Sequence, residues 1–431
     1  MAGLASALAR RGIETVYVAE TVMTADRIAL GWEVPDLGAA RLAFAPDAGA
    51  VTSLVASAPA DSIHICQGLR ANSRVGLAQA ELAKRGLDQW VIMETVDDAG
   101  WKGLLRRQLY HWLIRRSQPD TVGYLATGAM TPDWLVAQGA PRDAVVPFTY
   151  FLPARALAET TPVGPFRILF VGQLIERKRL KVLVQAMTTL GQDDIELCVV
   201  GAGPLAASLK AYALERLGSK ISWLGLQPQS AIPAIMASAD CLVLPSRFDG
   251  WGAVASEALL AGTAVICSDG CGCADVVRLS GVGGVFETDD PADLSQCLAR
   301  VIAAGRRSIE ARRALAEWAM CLGTDTGAAY LEDVLARNGT TTKPPPAPWT
   351  RCSRTAPSIE TSTDRRAQGR VLVFQPALPS YRMDFFARLS LQLGDRFRVH
   401  YSPEDMGALT TVRRHPMWAS ALGPILRPMR V

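Results

Sequence analysis

A chain of 431 residues is long enough for two or three domains, each with its own core. Its 45 Lys and Arg stand against 41 Asp and Glu and are spread along the chain, which argues against a nucleic-acid-binding protein. Nine cysteines form no C-x-x-C pair, Cys271 and Cys273 have no histidine near them, and neither an 18-residue apolar run nor a signal peptide occurs; together these exclude structural zinc and a membrane span, and predict reduced thiols and a cytoplasmic chain.

Residues 1–160 alternate helix and strand in the α/β manner. Residues 2–11 read as a helix, 13–18 as a strand, 42–44 as a short strand and 62–66 as another. Segments 73–85, 89–93, 101–116 and 121–125 continue the alternation. His64 lies between Ile63 and Ile65 in an apolar strand and reads as structural. The helix over 101–116 carries Lys102, Arg106, Arg107, Arg115 and Arg116 together with Trp101, Leu105, Leu109, Trp112 and Leu113. The last four apolar positions share one face. Two readings stay open: a helix lying in the headgroups of an anionic membrane, or one packed on its own sheet with a solvated basic face.

A Thr-Pro-Gly-rich break, ETTPVGP from Glu159, marks a domain boundary. Residues 167–172 form an apolar strand followed by Q-L-I-E-R-K-R-L-K. Strand 195–200 runs into G-A-G-P, where Gly201 and Gly203 permit close approach of a nucleotide, although strand-to-helix turns also need glycine for φ alone. Strand 221–225 repeats the geometry.

The most informative stretch is 241–270, CLVLPSRFDGWGAVASEALLAGTAVICSDG. Strands 242–244 and 264–267 are apolar on both faces, as in a parallel sheet covered by helices. Pro245 stops the first strand, Gly250 and Gly252 turn the backbone, and a helix over 253–261 ends at Gly262. Ligands of open parallel sheets sit at the carboxyl ends of strands, where residues 246–252 fall. Free amides at Gly252 and Ala253, with the helix dipole, suit a diphosphate. Asp249 precedes that helix and Glu257 lies one turn into it. A carboxylate gripping a ribose diol makes charge-assisted bonds worth roughly 1.5–3 kcal/mol. Two acids beside a phosphate site make sense if they hold sugars.

The pattern P-S-x-x-D-G-W-G-x-V-x-x-E-A-x-x-x-G-T-x-V-I resembles the donor-site signature of the retaining glycosyltransferases of family four, which have the GT-B fold. The resemblance implies an α/β chain of two Rossmann-like domains with parallel sheets. It places an acceptor-side domain at 1–160, a donor-binding domain at 165–322 and a terminal helix returning to the first domain at 323–337. It implies that Glu257 binds the ribose, and that Asp249 with the amides of Gly250, Trp251 and Gly252 contacts the donor sugar. Asp249 stands where Glu is commoner, about one methylene shorter. Lys178 matches a diphosphate-binding lysine beside Gly172. Gln173 replaces its usual arginine partner, leaving Arg177 or Arg179 to supply the second cation. Leu226 is expected near the base, and Glu94 is an acceptor-side candidate in the interdomain cleft.

The function so implied is transfer of a sugar, with retention, from a UDP- or GDP-sugar to a glycan or lipid-linked acceptor. No metal or other cofactor is expected, because lysine and helix dipole supply positive charge, and the chain is expected in the cytoplasm or peripherally on the inner face of the membrane. The alternatives are a nucleotide-sugar-binding protein without transfer activity, since the acceptor-side domain lacks its first strand, or an epimerase on the same fold.

Helices are expected over 292–304, 306–320 and 328–336. Residues 338–369 read as an extended or disordered linker. Residues 370–431 resemble the start of another such domain, with a strand at 371–374, a helix at 381–391 and a strand at 397–401. Strand 371–374 has the character of the missing one, and a linker reach of up to about 105 Å allows it to dock between 13–18 and 62–66. Duplication of N-terminal elements favours instead a tandem pair of transferases.

Overall fold

The computed structural model describes residues 4, 7–8, 10–20, 38, 40–69, 74–98, 100–154, 157, 162–336 and 344–351, with the backbone of 370–375 and 397–401. The helices expected over 2–11, in part, and over 381–391 lie outside the described residues.

The first sheet contains β1 (Thr15–Ala19), β2 (Arg41–Phe44), β3 (Ser62–Gln67), β4 (Gln89–Glu94), β5 (Thr121–Thr127) and β6 (Val145–Phe148). All its pairings are parallel. β1 is buried throughout and β4 over all but its last residue, as strands covered on both faces require. The helices Ala48–Ala56 and Thr131–Ala137, like β6, are additions to the elements read from sequence. His64 is fully buried with Nδ1 3.1 Å from the Asp88 carbonyl oxygen, and burial lowers its pKa to about 3, so it is a neutral structural residue.

The second sheet comes from one continuous stretch: β7 (Phe166–Val171), β8 (Ile195–Val200), β9 (Ile221–Gly225), β10 (Cys241–Leu244), β11 (Ala264–Ser268) and β12 (Gly283–Phe286). Its order is β12-β11-β10-β7-β8-β9, all parallel. Strand order reverses at β7, so the crevice at its carboxyl end is the topological switch point where such sheets bind ligands. Asp290 caps the helix Pro291–Ala303, its side chain accepting from the amides of Ala292 and Asp293. Ser308 does the same for the helix Ile309–Ala319.

The helix Thr324–Leu335 returns to the first domain. The Leu152 amide donates to the Leu322 carbonyl at 3.0 Å, and the Thr324 amide donates to Leu152 at 3.1 Å. The Tyr330 hydroxyl donates to the Pro147 carbonyl at 2.8 Å, and its ring stacks on Phe148. The extended-linker reading of 338–369 fails for residues 344–351. Ala347, Pro348 and Trp349 are buried, and Pro348–Arg351 forms a helical turn. Proline-rich composition hid this, because one large aromatic supplies enough apolar surface to anchor a short segment.

The tail contributes β13 (Arg370–Gln375) and β14 (Phe397–Tyr401). β13 pairs with β1 from Thr15↔Val371 to Ala19↔Gln375 and with β3 at Arg370↔Ser62, filling the place between those strands. β14 has the same partners as β1. Val371 is opposite both Thr15 and Phe397, and Leu42 is opposite both Tyr17 and Val399.

Candidate functional site

The carboxyl ends of the two sheets face each other across a cavity of about 670 Å³. β7 delivers Gly172, Gln173, Arg177 and Lys178 to it, the turn after β8 delivers Gly201, and Leu226 follows β9. β10 ends in the loop bearing Asp249, Gly250, Trp251 and Gly252, and Glu257 follows on the helix Ala253–Leu260. From the first domain, Glu94, Asp97 and Tyr150 close the other side.

The loop after β10 is shaped by its glycines. Gly252 caps the helix at φ +87°, in the left-handed region that glycine enters without strain, and Gly262 ends it at φ +72°. The helix N-terminus opens towards the cavity, with Ala253 and Val254 among the lining residues, so its unpaired amides and positive dipole face the ligand space. Glu257, 8% exposed, sits one turn behind them.

The Lys178 ammonium lies 2.5 Å from Asp249 Oδ2, and Arg177 is 3.9 Å from the same oxygen while donating to the Phe248 carbonyl at 2.7 Å. Two cations and one carboxylate thus meet at the mouth of the β7 loop. Entry of an anionic group can draw the lysine from the carboxylate to the new oxygen, leaving Asp249 beside Arg177 and open to a hydroxyl donor. Of the two arginines the sequence left open, Arg177 lines the cavity, whereas Arg179 is held by Glu176 and by Asp289, 2.7 Å away. A left-handed backbone at Arg179, φ +52°, turns the chain between them.

Trp251 lines the cavity and is also anchored from behind it. The Trp251 indole is 2% exposed, turned into the interior, and donates to Ser256 Oγ at 3.0 Å. It supports the loop from behind. Gly203 is not among the cavity-lining residues; a Cβ there would fall 2.5 Å from the Leu174 carbonyl oxygen. Gly201 does line the cavity, and its glycine is also required by the Gly172 carbonyl oxygen, which a Cβ would meet at 1.9 Å.

The two domains touch at backbone distance. The Ala129 amide donates to the Gly272 carbonyl at 2.8 Å, and a Cβ on Gly250 would lie 2.2 Å from Glu94 Oε2. Glu94 is therefore pressed against the loop that carries Asp249. Sequence periodicity missed Asp97 and Tyr150, which lie outside its strands; the one available signal was their position just beyond the carboxyl ends of β4 and β6. Behind the loop, Cys271 and Cys273 are buried free thiols, each pushed well above the usual thiol pKa by hydrogen bonding to a neighbouring cysteine and by burial. They are inert packing groups.

The helix Gly100–Ser117 starts beside this cavity. It packs inward through Gly103, Tyr110 and Ile114, and Tyr110 meets Trp134 edge-on. Its other face is open: Trp101 is 69% exposed, Leu105 63% and Trp112 54%, with Leu104 and Leu109 between them. The apolar face read from sequence therefore points outward, with Leu113 half-buried at its margin.

Comparisons with known proteins agree with this geometry. Residues 158–319 match the family model described as glycosyl transferases group 1. The 2-deoxystreptamine glucosyltransferase of Streptomyces kanamyceticus is 32% identical over 158 residues, 36% of this chain and 41% of that protein. The phosphatidyl-myo-inositol mannosyltransferase of Mycobacterium tuberculosis is 32% identical over 192 residues, 42% of this chain and 50% of that protein. The chain thus spans half or less of the length of these curated relatives. The crystal structure of Anabaena HepE in complex with UDP superposes with a TM-score of 0.55 at 14% identity, covering 67% of this chain and 82% of that one. The fold is the GT-B arrangement of two parallel-sheet α/β domains.

Proposed function

We propose that the chain is a glycosyltransferase that moves a sugar from a nucleotide-sugar donor to a hydroxyl of a glycan or lipid-linked acceptor, with retention of configuration. The observation that carries this reading is the meeting of Lys178, Arg177, Asp249, Glu257 and an open helix N-terminus at one switch-point cavity. In this reading the diphosphate takes Lys178 from Asp249 and lies against the helix amides, which stabilise it as the glycosidic bond breaks. The freed Asp249 then accepts from donor-sugar hydroxyls, and Glu257 from the ribose diol. The positive charge needed by the leaving group comes from these side chains and the dipole, with no metal or other cofactor called for. The diphosphate itself takes the acceptor proton on the same face. Support for a nucleotide-linked donor comes from the UDP bound by HepE, which shares the fold.

Removing Glu257 tests the assignment. Glu257→Ala is expected to lower donor binding or turnover tenfold to more than a hundredfold, about 1.5–3 kcal/mol. Calorimetry with UDP and GDP sugars beside a product assay reads it, and unchanged affinity and turnover remove Glu257 from the site. The reading of a binder without transfer activity rested on an incomplete acceptor-side sheet, and β13 stands in that place.

The outward face of the helix Gly100–Ser117 refines the acceptor class. Trp101, Leu104, Leu105, Leu109 and Trp112 form an apolar ridge, and Arg115 and Arg116 are exposed beside it, the latter 5.4 Å above the Trp112 ring. Exposed Trp and Leu flanked by Arg suit the headgroup region of an anionic bilayer. Docking there brings the acceptor side of the cavity to a lipid-linked substrate at the inner face of a membrane. Among the described residues, no helix is long and apolar enough to cross one.

A further inference from the structure

We infer that Trp349 is a positioning residue for the donor loop, and that residues 344–351 act as a strap holding that loop in its ligand-ready shape; the assignment of the loop to a donor rests on the function proposed above. The Trp349 ring lies 6.1 Å from Trp251, centroid to centroid, and 6.3 Å from Phe151. Trp251 belongs to the loop after β10, between Gly250 and Gly252. Its indole nitrogen donates to Ser256, the residue before Glu257. A single aromatic contact therefore reaches both halves of the site: the loop with Asp249 and the helix with Glu257.

The loop needs such support. Gly250 and Gly252 give its backbone freedom that no side chain of their own restrains. Between them, Trp251 is the one bulky anchor, and its far side is covered by Trp349. The strap is itself fixed. The Tyr330 hydroxyl reaches the Pro345 carbonyl at 3.5 Å, the Thr350 amide donates to Ala347 at 2.9 Å, and Ala347, Pro348 and Trp349 are buried. Phe151 and Tyr330 belong to the first domain and its returning helix, so Trp349 ties the donor loop to the frame of the opposite domain. Such a contact acts by lowering the entropy that the loop loses when a ligand binds.

Replacing Trp349 by Ala and by Phe tests this, with Leu217→Ala as a stability control. Leu217 is a buried residue of the helix Ala206–Leu217, in the donor-side core. Two measurements are made at a temperature where all variants are folded. Hydrogen exchange over residues 249–260 needs no nucleotide: it is expected to quicken about tenfold in Trp349→Ala, to change little in Trp349→Phe, and to stay as in the unaltered protein in Leu217→Ala. Calorimetric affinity for a nucleotide-sugar donor is expected to fall about tenfold in Trp349→Ala alone. Exchange over 249–260 that is the same in Trp349→Ala and Leu217→Ala overturns the proposal. Absence of nucleotide binding by the unaltered protein instead counts against the proposed function and leaves the exchange result to decide the role of Trp349.

Discussion

The two sheets of this molecule are built from the chain in opposite ways. The donor-side sheet uses one unbroken stretch, 166–286, and each strand position has one occupant. The acceptor-side sheet joins residues 15–148 to 370–401. A sheet assembled from successive βα units closes short loops one at a time. A strand arriving from beyond residue 369 must first close a loop of hundreds of residues, which slows assembly and leaves the pairing less strongly specified. The donor side is accordingly where sequence and structure agree most closely, and the acceptor side depends on a strand from far along the chain.

Matched proline substitutions are the severest way to break that contrast. Val373 lies within β13, opposite Tyr17, and Val199 lies within β8, opposite Phe170. Proline in either strand removes a ladder donor inside a sheet, on the order of 2–3 kcal/mol when a buried acceptor is left unmet. Val373→Pro is expected to lower the denaturant midpoint while nucleotide affinity stays within about twofold. Val199→Pro is expected to abolish nucleotide binding. An unchanged midpoint in Val373→Pro shows that β13 does not hold the acceptor sheet together.

What was legible in the sequence follows the same division. β7, β8, β10 and β11 announce themselves as apolar runs, and the 249–257 spacing identified the loop and helix that the cavity is built on. β12 escaped notice because Gly283 and Gly284 give it no apolar run; it exists through its pairing with Val265–Ser268 of β11. The basic run after β7 named the right loop and left open which arginine turns inward, since that depends on the left-handed turn at Arg179. Trp251 was read as a ligand contact through its amide, and it lines the cavity. Only tertiary packing reveals that its indole faces Trp349, from a segment whose prolines read as linker.

Acid offers a gentler probe. Among the four histidines none falls in 162–336, whereas His64 lies in β3 of the acceptor side. Burial holds its pKa near 3 against an ordinary value of 6.5, and Arg85 adds to the effect against the opposing Asp88 carbonyl. The unfolded chain takes up a proton as pH falls through 6.5, while the folded chain does not until about 3. Stability is therefore full above 6.5 and lost progressively below it. Between pH 6.5 and 5.0, before most carboxylates titrate, the loss is expected to be on the order of 1.5 kcal/mol. Denaturant melts of His64→Gln should be flat over that window, and an equal slope in both proteins would assign the acid sensitivity elsewhere.

The last effect sharpens the comparison at the surface. The donor-side domain has no counterpart to the exposed ridge of Trp101, Leu105 and Trp112 among its described helices; its exposed large apolar residues, such as Leu214 and Leu279, stand on separate elements. If the ridge meets anionic lipid, Arg115 and Arg116 are exposed beside it to supply charge. Arg106 and Arg107 are already engaged, one with the Asp97 carbonyl and the other with the Asp98 carboxylate at 3.1 Å. Each free arginine near a charged bilayer contributes about 1 kcal/mol, or roughly fivefold in binding. Changing Arg115 and Arg116 together to Gln should then weaken cosedimentation with anionic vesicles by about 25-fold at low salt, and raising the salt should erase most of the difference. Changing Trp101 and Leu105 to Ser should weaken binding at every salt concentration, because burial of apolar surface is not screened. Equal pelleting of the unaltered protein with neutral and anionic vesicles would remove the lipid assignment and leave the ridge without a charged partner.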